Sequence, residues 1–212
     1  MIHGGAWQAI YNLTHAGHLC VDLAEQGFVT WNIEYRRIGD PGGGWPGTGD
    51  DVLLALKYVT QLANRYPIDV ERVVLMGHSA GGHLAIWGSL NSDLRLRGVI
   101  SLAGVVDLHA HAATGEDHGL ITRLLGGGPD EIAERWQSAS PRQRLPWPVR
   151  TVLICGTADL HWEQNEATAE AARAVGGDVD FVTLPDADHF ELVDPIAPEW
   201  QIVRRTIEAL VE

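Results

Sequence analysis

The sequence predicts an α/β protein, a mostly parallel sheet with helices on both faces, built as one domain over residues 1–212. Three observations predict it. Short apolar runs alternate along the chain with stretches of helical spacing, the pattern of parallel strands joined by crossover helices. One run, Val73-Val74-Leu75-Met76, passes straight into Gly77-His78-Ser79-Ala80-Gly81 and then into Leu84-Ala85-Ile86-Trp87, which reads as buried strand, tight turn and helix. Residues able to do chemistry fall just after the runs, where an open parallel sheet keeps its ligands.

Taken in order, Met1-Ile2 lead directly into His3-Gly4-Gly5-Ala6-Trp7. Glycines there free backbone N–H groups to face a ligand oxygen, as an oxyanion hole requires, and the competing reading is a plain turn. Residues 14–26 have helical spacing through Leu19, Cys20, Leu23 and Ala24, with Gly27 placed as the C-cap. Residues 28–33 are β-branched and aromatic, hence a strand. Residues 35–46 carry too many glycines and prolines to be regular. Within that loop Trp45 is a candidate pocket residue, packing being the alternative. Thr48 is placed to cap the next helix, with Asp50 and Asp51 in its first turn. The apolar face of that helix is Val52, Leu53, Leu56, Val59, Leu62 and Ala63, and it ends before Pro67.

Beyond the central strand, turn and helix, residues 98–104 form another buried strand. Residues 107–147 lose periodicity and include His109, His111, His118 and the Gly126-Gly127-Gly128-Pro129 break. They read as an insertion capping the sheet top. With no Cys, Asp or third His at ligand spacing, its histidines read as solvated loop residues, and no metal site is expected. Residues 151–156 form a strand followed by Thr157-Ala158-Asp159, and residues 163–175 an Ala-rich helix stopped by Gly176-Gly177. A short strand at 181–184, a turn through His189, and an amphipathic helix at 198–211 complete the chain.

Composition narrows the partners. Lys and Arg number 15 against 28 Asp and Glu, a net charge of -13 without charge blocks. Polyanion binding needs a basic face, so the charge argues against nucleic acid and anionic membranes as partners and favours a neutral or cationic small-molecule substrate. Cys20 and Cys155 lie in apolar stretches and read as two buried thiols. No apolar run reaches membrane-spanning length and polar residues break up the N-terminal segment, so the reading is cytoplasmic.

A serine nucleophile needs a base, a carboxylate to orient it, and donors for the developing oxyanion. Ser79, Asp159 and His189 each follow a different strand, in the order Ser, Asp, His. Asp186 and Asp188 are too close to His189 in sequence to come from a separate strand end and read as turn formers. His161 sits awkwardly for meeting Ser79, and His78 and His83 flank the turn where local packing claims them.

Taken together, His3-Gly4-Gly5-Ala6-Trp7, the loop from Tyr35-Arg36-Arg37 to Trp45-Pro46-Gly47, Gly77-His78-Ser79-Ala80-Gly81-Gly82-His83-Leu84-Ala85, Gly156-Thr157-Ala158-Asp159 and Asp188-His189-Phe190 resemble the α/β-hydrolase esterases. More narrowly they resemble the HGGxW branch, with kynurenine formamidase-like enzymes and feruloyl or acetyl-xylan carboxylesterases. The resemblance implies a Ser79–His189–Asp159 triad and an oxyanion hole from the N–H groups of Gly5, Ala6 and Ala80. Trp45 and His78 are assigned to substrate binding, and no cofactor is called for. The implied activity is hydrolysis of short-chain or aryl acyl esters through an acyl-enzyme. The alternatives are an arylformamidase acting on N-formylkynurenine and a catalytically silent binding protein.

The chain departs from that family in lacking the N-terminal strands. The strand ending at the His-Gly-Gly turn belongs at the centre of the sheet, and Met1-Ile2 are all that is present of it. The expectation is therefore a fragment, with Met1 an internal methionine and a possible signal peptide missing with the rest. The rival is a minimal hydrolase whose sheet is closed by another chain.

Overall fold

A computed structural model of the chain describes residues 1–114 and 119–212. Four strands, β1 (Val74–His78), β2 (Gly98–Leu102), β3 (Thr151–Gly156) and β4 (Val179–Leu184), form a parallel sheet in the order β1-β2-β3-β4. The first three are buried almost throughout, as strands covered on both faces must be. Alternation divides their side chains between two cores. Leu75, Val99 and Leu153 face α2 (Gly47–Leu62) and α3 (Ala80–Ser89), packing against Val52, Leu56 and Leu84. Met76, Ile100 and Ile154 face α1 (Gly17–Glu25) and α8 (Trp200–Val211), against Leu19, Leu23, Val203 and Ile207. Both cysteines are buried and unpaired, and no described helix is long and apolar enough to cross a membrane.

Met1 and Ile2 take the place of a strand next to β1. Ile2 bridges Ile33 on one side and Gly77 on the other, both parallel. Its N–H donates to the Met76 carbonyl at 2.8 Å, and its carbonyl accepts from His78 at 3.2 Å. The Met1 amine donates to the Trp31 carbonyl at 2.7 Å. Residues 28–33, expected as a strand, form a single bridge, from Ile33 to Ile2. Farther from the turn, Phe28 and Trp31 are parted from Val74 and Met76 by a mostly apolar cavity of about 350 Å³.

Other boundaries moved for local reasons. The helix expected over 14–26 divides into a 3-10 turn at Leu13–Ala16, capped by the Asn12 side chain, and α1. Gly27, at φ 90°, follows α1 as expected, and the Phe28 N–H reaches back to the Leu23 carbonyl. Thr48 does not cap α2: Pro46 holds that position, while the Thr48 hydroxyl donates to the Arg36 carbonyl. Asp51 pairs with Arg36 at 2.8 Å, and the two hold each other's charged forms. Residues 107–147 contain α4 (Leu108–Ala113), α5 (Leu120–Leu125), α6 (Ala133–Ala139) and a 3-10 turn at Pro141–Arg144. They pack through Trp136 and Trp147, 1% and 3% exposed. The histidines of this stretch are not solvated loop residues as expected: His109 lies against Trp136 and His111 is buried. His118 lies outside the described residues. The remaining helix, α7 (Trp162–Ala174), crosses between β3 and β4.

Candidate active site

Ser79 stands between β1 and α3 with φ 54° and ψ -120°, a backbone region costly for a residue with a side chain. The surroundings over-determine it. The Ser79 N–H donates to the Leu102 carbonyl at 2.8 Å, and the turn is too tight for anything but glycine on either side. A Cβ on Gly77 would lie 2.0 Å from the Gly81 carbonyl oxygen, and one on Gly81 would lie 2.2 Å from that of Ile2. The sequence thus forms the turn where it does because strand, helix and the Ile2 bridge all press on two positions without side chains.

Asp159 follows β3 and His189 follows β4. The Asp159 Oδ2 and His189 Nδ1 atoms are 2.6 Å apart, and Asp159 Oδ1 accepts from the His161 N–H at 2.7 Å. Burial by itself raises the pKa of Asp159, but its bonds to His189 and His161 win and hold the carboxyl below its ordinary value. Ser79 and His189 open onto one cavity of about 310 Å³, with Ala6, Trp7, His161 and Leu160 in its wall. His111, Leu120 and Arg123 line it from α4 and α5.

Gly5, Ala6 and Trp7 all have positive φ, at 114°, 52° and 52°. None of the N–H groups of Gly5, Ala6 and Ala80 donates to another described residue, and Ala80 begins α3, whose aligned peptide dipoles favour negative charge at that end. The strained turn is buttressed from below. His3, wholly buried, bonds the Gly4 carbonyl at 2.6 Å and Glu34 Oε1 at 2.7 Å and stacks on Tyr35 at 4.4 Å. The Tyr35 hydroxyl donates to the His3 carbonyl at 3.0 Å, and burial pushes its pKa up. Glu34 also takes the Leu13 N–H and Arg37, the latter at 3.0 Å.

The structure therefore brings Ser79, Asp159 and His189 together with the turn holding Gly5 and Ala6, and leaves two expected substrate residues elsewhere. Trp45 is half-buried, edge-on to Trp87 at 4.6 Å and tilted against His83, so packing has claimed it. His78 is 1% exposed and faces the His189 loop rather than the cavity. Conversely, His161, set aside from sequence, lies 5.4 Å from the His189 ring and lines the cavity, and burial lowers its pKa to about 3. Asp186, at φ 60°, and Asp188, bonding the Phe190 N–H, are turn formers. The buttress of His3 and Glu34 escaped sequence reading because it joins residues 31 apart. Asp159, His161 and His189 are the described residues whose ligand atoms, within 4.8 Å of one another, could hold a cation. Two of the three are already committed to the 2.6 Å hydrogen bond.

A family model described as BD-FAE matches residues 1–166. The chain is 26% identical to dipeptidyl-peptidase 5 of Porphyromonas gingivalis, over 80% of the chain and 27% of that protein. It is 26% identical to esterase LipC of Mycobacterium tuberculosis, over 91% of the chain and 53% of the relative. Against kynurenine formamidase of Danio rerio the figures are 22%, 99% and 71%. Esterase B from Lactobacillus rhamnosis superimposes with a TM-score of 0.83 at 20% identity, over 99% of this chain and 75% of that one, which shows the shared α/β-hydrolase fold. The chain spans about a quarter of the length of the first curated relatives it matches.

Proposed function

The chain belongs to the BD-FAE family, and from that premise we propose that it is a serine hydrolase of carboxylic esters in which Ser79 carries the acyl group. One observation carries the reading: His189, joined to the buried Asp159 at 2.6 Å, opens onto the same cavity as a serine held at φ 54°. His189 takes the Ser79 proton as the hydroxyl oxygen attacks the ester carbonyl. The N–H groups of Gly5, Ala6 and Ala80 receive the oxyanion, each such donor being worth about 10²–10³ in rate. As the tetrahedral species collapses, His189 returns the proton to the departing alcohol. Water, deprotonated by the same histidine, then attacks the acyl-enzyme and releases the acid and Ser79.

Asp159 keeps the His189 tautomer with its proton on Nδ1, so that Nε2 is the basic atom. The kinship with esterase LipC supports ester chemistry. A second reading, cleavage of an N-formyl aryl amide, is favoured by the match to kynurenine formamidase over 99% of this chain. The test compares wild type and Ser79→Ala on p-nitrophenyl esters, feruloyl esters, acetylated xylan and N-formylkynurenine. Turnover lost in the variant is the expected result, and the preferred substrate decides between the two readings. Equal turnover in both proteins sinks the assignment, and a wild type inert to all four classes and to a fluorophosphonate supports a silent site.

A further inference from the structure

We infer that His78 is a positioning residue for the catalytic base, holding the main chain of His189 from the position next to the nucleophile; the inference rests on the serine-hydrolase reading above. His78 Nε2 lies 2.8 Å from the His189 carbonyl oxygen. A carbonyl only accepts, so Nε2 carries the proton and Nδ1 of the neutral ring is bare. Nδ1 is buried and bonds to no described residue. A cationic ring there would bury a proton without an acceptor. Burial first, and the neighbouring His189 second, hold its pKa well below the usual range.

The ring is fixed on its other sides as well. Gly4, in the oxyanion turn, packs so closely that a Cβ would lie 2.8 Å from His78 Nδ1. The half-buried His15 ring lies nearly parallel to it at 5.1 Å, and the His189 ring is 4.6 Å away on a tilt. His78 thus meets three chain segments: the turn that offers oxyanion donors, the segment after it, and the loop that carries the base. Through the sheet, Ser79 and His189 are joined only by way of all four strands, since β1 and β4 are its opposite ends. The hydrogen bond from His78, the residue before Ser79, crosses directly to the His189 loop over 111 residues of sequence. It grips the backbone and leaves the imidazole of His189 free to exchange protons with Ser79. A neutral His78 also adds no positive charge beside the imidazolium that forms during attack.

The experiment compares wild type, His78→Leu, which fills the space without a donor, and His78→Gln, whose side-chain amide can still reach the carbonyl. Readouts are kcat and KM on p-nitrophenyl acetate, and the rate and endpoint of fluorophosphonate labelling. For His78→Leu the expected result is a kcat lower by about 10²-fold with KM within about threefold, the effect of a base displaced by about 1 Å. Labelling should slow by a similar factor yet still reach one label per chain, and His78→Gln should stand within about tenfold of wild type. Wild-type rates in His78→Leu overturn the inference, as do equal losses in both variants. Labelling that stops short of one per chain at an unchanged rate shows a purely structural role and overturns it too. A wild type that takes up no probe removes the serine-hydrolase reading itself, and this inference with it.

Discussion

His83 should make the protein acid-labile in a way one substitution can remove. The residue lies in α3, wholly buried, with Nε2 donating to the Ala139 carbonyl at 2.9 Å and Trp7 edge-on at 5.3 Å. Burial, opposed only by that hydrogen bond, lowers its pKa from 6.5 to about 4. Unfolded chain therefore binds a proton that folded chain refuses between those two values. The associated stability is complete above pH 6.5 and is lost as the pH falls toward 4. From pH 7.5 to pH 5.0 the loss amounts to 1.5 units below the unfolded value, about 2 kcal/mol at about 1.4 kcal/mol per unit. Against a typical total of about 5–15 kcal/mol, that is easily read. Urea unfolding of wild type and His83→Gln at both pH values supplies the measurement. The amide of Gln does not titrate, so the variant should lose about 2 kcal/mol less than wild type over this interval. Whatever the substitution costs at pH 7.5 cancels in the comparison, and the other buried histidines, His3, His78, His111 and His161, are present in both proteins. Equal losses with unchanged m-values would refute the reasoning, because they would mean that His83 is charged or solvated in the folded state.

Three further outcomes follow from the geometry. Asp159→Asn should lower kcat by about 10⁴-fold without unfolding the protein, since an amide holds the wrong tautomer of His189; near-normal kcat would show that another group orients the base. Gly5→Ala should reduce ester turnover by at least about 10²-fold. A Cβ there would lie 2.4 Å from Tyr11 Cβ at φ 114°, so an active, unshifted variant would contradict the turn as described. Ser101→Ala removes a buried hydroxyl that has no partner among the described residues and should leave stability unchanged or raised by up to about 1 kcal/mol in thermal or urea unfolding. A clear loss would reveal a hydrogen bond that the structure does not contain.

The sheet and the Ser79 turn were legible because their signals are local. Apolar runs mark β1, β2 and β3, and glycines at 77 and 81 sit where backbone crowds backbone. Asp159 and His189 were legible from their order after strands, a rule about where parallel sheets keep polar residues. Cross-chain contacts were not legible. Thr48 looked like a cap because a threonine ahead of acids usually is one, yet the Arg36 carbonyl, 12 residues earlier in the preceding loop, took its hydroxyl. Residues 28–33 had the composition of a strand, yet within them Ile33 alone is bridged, to Ile2. His78 was assigned to substrate binding, although side chains on either side of a sharp turn diverge. Its direction toward the His189 loop depends on a segment 111 residues away. The same holds for His111 and His161, whose burial follows from how α4 and α7 settle over the strand ends.

The bond from His78 to His189 also fixes when the site can exist during folding. Parallel pairings need long crossovers, so the loop-closure cost comes before the contacts that reward it, and such sheets assemble slowly. The base loop after β4 and the residue beside Ser79 can meet only once β2 and β3 stand between them in register. Helices such as α3 and α7 can gain structure much earlier, since their bonds are local. In refolding from urea, helical signal should therefore return ahead of reactivity toward a fluorophosphonate. The two would rise together only if the chain folded in a single concerted step, with the pairing of its most distant segments as part of the barrier.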